Sequence, residues 1–253
     1  MIIFIFFLGM LTGSIINICI YQIPKKQRIV FNNSSYNDYN NQFKWYGLLS
    51  TFSILYYKAN GKQSYSKIFI RNLIVELSTG ILFILLYYKF KLCMDFIVYM
   101  LIFSFLIVVG FIDIDHQIIP DILVKLTFLV ALSYEILKAL VYGYPIYLTN
   151  KIIALAIGAL SFIIINIVSN GGIGGGDIKL IAALGFILGI SKLILTIFIS
   201  FILGAAVSIV LLMLGLKRRK DVIPFAPFII FSFLIVFFWG QKIIDWYLFN
   251  LSR

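Results

Sequence analysis

Seven long apolar runs, at 2–21, 73–88, 96–112, 122–142, 152–168, 193–215 and 224–240, decide what this chain can become. A helix needs about 20 mostly apolar residues to cross the hydrocarbon core, and a helix satisfies its own backbone groups there. The chain is 62% hydrophobic with a mean hydropathy of +1.05, which excludes a soluble domain. An eighth apolar stretch, 178–190, carries Gly185 and Gly189 and reads as either a thin span or a half-inserted helix. The expected fold is therefore all-α: a polytopic integral membrane bundle of about eight transmembrane helices.

Charge sets the expected orientation. Lys25, Lys26, Arg28, Lys44, Lys58, Lys62, Lys67 and Arg71 cluster after the first run, and a second basic run covers 217–220. The positive-inside rule puts both in the cytoplasm. Eight crossings from an outside N-terminus meet that requirement. The opening run lacks a basic start and is followed by basic residues, so it reads as a retained first span rather than a leader. The net charge of +11 is then an orientation signal, with anionic lipid as a further attraction, and no nucleic-acid partner is expected. Cys19 and Cys93 lie in or beside apolar runs and suggest neither a disulfide framework nor a metal cluster. Asn33-Ser34-Ser35 matches a glycosylation sequon, but a cytoplasmic loop never meets that machinery.

Two acidic turns carry the chemistry. Asp113 ends one apolar run within Gly110-Phe-Ile-Asp-Ile-Asp-His-Gln-Ile-Ile-Pro-Asp121, and Asp177 ends the glycine-rich stretch from Gly171. Two apolar segments lie between them, so an even number of crossings returns both acids to one face. Acids at membrane depth are costly and face a cavity or a partner. Two carboxyls held close share one proton, leaving one to activate water and the other to polarise a carbonyl. Capping and solvation compete with this reading: Asp121 after Pro120 looks like a helix start, Asp115 and His116 read as solvated, and Asp177 alone would serve as a helix cap beside a hinge. A phosphate loop fits poorly, because no Gly-Lys-Ser/Thr ending follows the glycines. Lys125, Glu135 and Lys138 make the fourth run the least apolar; they form helix-face pairs or line a water path.

Taken together these motifs resemble the type IV prepilin peptidases, membrane aspartyl proteases of the Gly-x-Gly-Asp class. The first catalytic segment of that family, an Asp seven residues before a Pro, selects Asp113 ahead of Pro120. The second matches Gly174-Gly175-Gly176-Asp177, continued by Ile178-Lys179-Leu180. Gly13-Ser14 with Asn17, Arg71 with Glu76, and Ile223-Pro224-Phe225-Ala226-Pro227-Phe228 also look like the family, so the resemblance covers nearly the whole chain in order. It implies Asp113 and Asp177 as catalytic acids, with Gly174, Gly176, Pro120, Asp121 and Lys179 in support. The implied reaction is cleavage of a prepilin or pseudopilin precursor after the glycine ending its basic leader, at the cytoplasmic face of the cell membrane, with no cofactor for proteolysis.

Many bacterial members also methylate the new N-terminus with S-adenosylmethionine, an activity the resemblance attaches to the first cytoplasmic loop and to Gly13, Asn17, Arg71 and Glu76. The chain departs from the pattern here. Residues 25–72 contain no cysteine where many members carry two Cys-x-x-Cys pairs, so no zinc is expected. The expected organisation is an N-terminal region, 1–90, with two spans around that loop, and a membrane-embedded peptidase domain, 91–253. Rival readings are an ion-coupled transporter and a non-catalytic scaffold of a pilus or secretion apparatus; the lack of an internal repeat weighs against the transporter.

Overall fold

The computed structural model describes residues 1–24, 66–143, 148–218 and 221–251. Residues 25–65, most of the loop expected to be cytoplasmic and free of zinc, and Arg219 and Lys220 of the second basic run lie outside those residues. Eight α-helices form among the described residues: α1 (Ile2–Gln22), α2 (Ser66–Phe90), α3 (Met94–His116), α4 (Asp121–Tyr142), α5 (Leu148–Val168), α6 (Gly175–Leu188), α7 (Ile190–Met213) and α8 (Ala226–Leu251). Six of them (α1, α2, α3, α5, α7 and α8) are long and apolar enough to cross a membrane. Large apolar side chains such as Ile164, Phe198, Ile202 and Phe231 stay exposed along these helices, as they do where lipid is the solvent. The expected polytopic helical bundle is the fold of this chain.

The other two helices differ for different reasons. Helix α4 is long but carries Lys125, Glu135 and Lys138. Helix α6 has only 14 residues and is stopped by Gly189, whose φ of 77° lies in the left-handed region that glycine tolerates. Its N–H closes α6 on Gly185 O at 2.9 Å, and Asn150 Oδ1 accepts from Ile190 N at 3.2 Å where α7 begins.

Contacts divide the chain into two compact units, Met1–Val108 and Val109–Arg253. In the first, α1 packs along α2. The approach is close because Gly9 and Gly13, one helical turn apart, form a small-xxx-small pair: a Cβ on Gly9 would lie 2.7 Å from Gly80 Cα, and one on Gly13 2.7 Å from Glu76 Cα. Thr79 Oγ1 donates across this seam to Gly9 O at 2.9 Å. Val75, Phe83 and Leu86 fill the rest of the buried face.

In the second unit the short α6 is the centre. It packs against α4, α5, α7 and α8, and buries Leu180, Ile181, Leu184 and Phe186 along with Asp177. Phe186 is gripped from two sides, by Phe128 of α4 at 5.1 Å between ring centroids and by the Lys151 ammonium of α5 at 5.7 Å. That same lysine pairs with Glu135 of α4, and Lys138 lies over the Tyr134 ring at 4.6 Å. The charges of the fourth run thus serve inter-helix and ring contacts.

Gly9→Leu or Gly13→Leu would drive a branched side chain into the backbone of α2. Each is expected to destabilise the protein by about 1–3 kcal/mol, the usual penalty of overpacking. Melting in lipid nanodiscs checks this, with Ile15→Leu on the exposed face of α1 as the unchanged control.

Candidate active site

Helix α3 delivers Asp113 one turn before its end, and the segment after α5 delivers Asp177 in the first turn of α6. Both carboxyls belong to the second unit and both are nearly closed to solvent, at 5% and 7% exposure. Asp115 and His116, also at the end of α3, are exposed, so burial singles out one acid from that turn.

Each carboxyl meets a backbone amide. Asp113 Oδ2 accepts from Ala226 N at 3.0 Å, at the first residue of α8. The first N–H groups of a helix have no intrahelical acceptor, and the dipole there favours negative charge. Pro224 and Pro227 flank this point without N–H groups, so Ala226 and Phe225 hold the only amides of that stretch. Asp177 receives a backbone hydrogen bond from Gly174, while its Oδ1 is buried without a hydrogen-bond partner. A side chain on Gly174 would lie 3.2 Å from Asp177 Oδ2, which explains glycine there.

Asp177 lies outside the six long apolar helices, and its carboxyl is pushed up to about 7. Burial is the larger cause, the charge on Asp113 adds to it, and the Gly174 hydrogen bond opposes both. Asp113 is therefore close enough to influence the ionisation of Asp177.

The residues expected to support the acids lie at the starts of α4 and α6. Gly176 packs on Ile119, where a Cβ would fall 2.7 Å from the Ile119 Cβ, so the start of α6 presses on the turn before α4. Pro120 precedes α4 with φ −67° and accepts from Leu123 N at 3.1 Å. Asp121, which reads in sequence as a helix start, is the first residue of α4, and no side-chain cap bond forms there. Both its oxygens accept from Lys179 Nζ, at 2.8 and 2.7 Å. That lysine holds the exposed Asp121 carboxyl below the ordinary range. The pair is half-exposed, so it guides α4 and α6 together more than it stabilises them.

Gly13 and Asn17 on α1 and Arg71 and Glu76 on α2 belong to the first unit. Glu76 is fully buried and accepts from Ser14 Oγ at 2.8 Å. Asn17 Nδ2 donates to Asn72 O at 3.1 Å, while the side-chain oxygens of Asn17 and Asn72 are buried without hydrogen-bond partners. Arg71 is half-buried on the same helix.

Sequence reasoning missed the Ala226 amide and the contact of Ile119 with Gly176. The proline-flanked segment 223–228 carried the signal for the first, since a helix start bracketed by prolines leaves few donors to aim.

Comparison with known proteins agrees with this architecture. Residues 100–209 match the model of the type IV leader peptidase family, and residues 7–90 match the bacterial peptidase A24 N-terminal domain. A prepilin leader peptidase/N-methyltransferase of Bacillus subtilis (strain 168) is 28% identical over 96% of both chains. One of Xanthomonas campestris pv. campestris is 26% identical over 95% of this chain and 92% of its own. One of Aeromonas salmonicida is 33% identical over 56% of this chain and 49% of its own. No solved structure matches the chain. With two models of one family matching consecutive parts of the sequence, and relatives that align along nearly all of it, this chain belongs to the type IV leader peptidase family.

Proposed function

We propose that this protein is an aspartyl endopeptidase of the cytoplasmic membrane that removes the basic leader of a prepilin or pseudopilin precursor, cutting after the leader's last glycine. The observation that carries the reading is a pair of buried acids from separate helices, α3 and α6, with the charge of Asp113 felt at Asp177. Asp113, with the Ala226 N–H on its Oδ2, acts as the base that takes a proton from water. The water oxygen bonds to the scissile carbonyl carbon. Asp177, carrying the shared proton, donates to the carbonyl oxygen. Collapse of the resulting diol breaks the C–N bond as the proton from water passes from Asp113 to the leaving amine and one diol hydroxyl returns a proton to Asp177. The charge of Asp113 acts on Asp177, which supports a common face. The basic residues flanking the spans support a cytoplasmic position for that face and an outside N-terminus, and a basic leader also stays in the cytoplasm.

We infer as well that the first unit methylates the new N-terminus. S-adenosylmethionine would supply the methyl group. The residues present suit a cationic or amine-bearing guest: a buried carboxyl at Glu76, and the buried side-chain oxygens of Asn17 on α1 and Asn72 on α2 that make no hydrogen bond. Their role is to bind and orient.

The decisive assay incubates the purified protein in lipid with a prepilin and S-adenosylmethionine and reads the mass of the product's N-terminus. Asp113→Asn and Asp177→Asn are each expected to lower cleavage by about 10²–10⁴-fold while leaving insertion intact, as loss of an acid–base group does. Normal processing by either variant would refute the assignment. Glu76→Gln is expected to yield leader-free product lacking the methyl mass; methylated product would remove Glu76 from that role.

The pH profile has a definite sign. The proton on Asp177 is retained below about 7 and lost above it. Cleavage should therefore decline as pH rises past that point, approaching tenfold per unit where chemistry limits the rate. A single-turnover rate still climbing at about pH 9 would contradict a shared-proton mechanism.

A further inference from the structure

We infer that Gln117 is a positioning residue for the acid pair: its side chain ties the segment before α8 to the end of α3, and so keeps the Ala226 N–H on Asp113. Gln117 is the first residue beyond α3, and its own N–H donates to Asp113 O at 2.9 Å. Its φ is 54°, in the left-handed region that disfavours side chains other than glycine and, less so, asparagine and aspartate. Glycine would take this conformation without that cost, so the turn alone does not call for glutamine. From this turn Gln117 Nε2 donates to Val222 O at 3.2 Å, an oxygen that Lys217 Nζ also reaches at 3.5 Å.

Val222 and Ala226 are the two ends of a five-residue stretch. Pro224 in its middle fixes its own φ, so the stretch has little slack and a shift at Val222 is carried towards Ala226. Both ends are tied to one short piece of chain, through Gln117 at Val222 and through Asp113 at Ala226. The side-chain amide thus sets the distance over which the helix-start N–H must reach the carboxyl. Its kinetic consequence rests on the peptidase reading; its structural consequence does not.

Two variants separate side chain from backbone. Gln117→Glu keeps the shape but loses the donor in its ionised form, and Gln117→Gly loses the side chain while accepting the positive φ. Amide hydrogen exchange in the full-length protein in nanodiscs reads the peptide spanning 222–226. In both variants the Ala226 amide is expected to exchange about tenfold faster, as befits one weakened hydrogen bond. With prepilin as substrate, kcat is expected to fall about tenfold with KM within about twofold, because the loss is felt at the reacting acids rather than in substrate binding. Wild-type exchange at Ala226 in either variant overturns the inference, and so does faster exchange with unchanged kcat. If the unaltered protein cleaves no prepilin, the peptidase reading fails, and the exchange measurement still decides whether Gln117 holds the amide.

Discussion

A carboxyl group can be carried into an apolar helix bundle only with a proton, a donor or a partner charge to offset the lost water. Nearly everything distinctive in the second unit answers that requirement. Asp113 meets the amide at the start of α8, Asp177 meets an amide from the glycine-rich turn, and burial, with the charge of the first acid added, raises the second acid's hold on its proton. The donors come from main chain, which fixes them by the course of the helices. Pro224 before α8 and the glycines before Asp177 shape the main chain that brings those amides to the buried acids.

Helix α6 converts that local need into architecture. It touches four neighbouring helices and is held near both ends, by the Asp121–Lys179 pair at its start and by Phe186 between Phe128 and Lys151 further along. A helix gripped in this way has little freedom to tilt, and Asp177 in its first turn inherits that restriction. The first unit uses a different device: Gly9 and Gly13 let two helix backbones approach so closely that Thr79 and Ser14 bond across the seam to Gly9 O and Glu76.

The sequence made the helices and the two acids legible because their signals are strong and local. Long apolar runs have one solution in lipid, and an acid at the end of such a run is conspicuous. The resemblance then ordered Gly174, Gly176, Pro120 and Lys179 around the acids, but it did not say what they touch. Asp121 reads as a helix start from its place after Pro120, and only the fold reveals that Lys179, 58 residues on, takes both its oxygens. The Glu135–Lys151 pair was hidden for the same reason, since Lys138 is nearer in sequence and faces Tyr134 instead. The donor to Asp113 was least visible, because a main-chain amide leaves no letter in a sequence.

That last point reaches beyond reading. The N–H on Asp113 belongs to the peptide unit of Ala226 and not to its methyl group, so nineteen of the twenty residue types would supply it. A survey that replaces side chains one by one would pass over this position and credit the acids alone. The donor can be deleted only by changing the main chain itself, through proline at 226 or an ester in place of the amide.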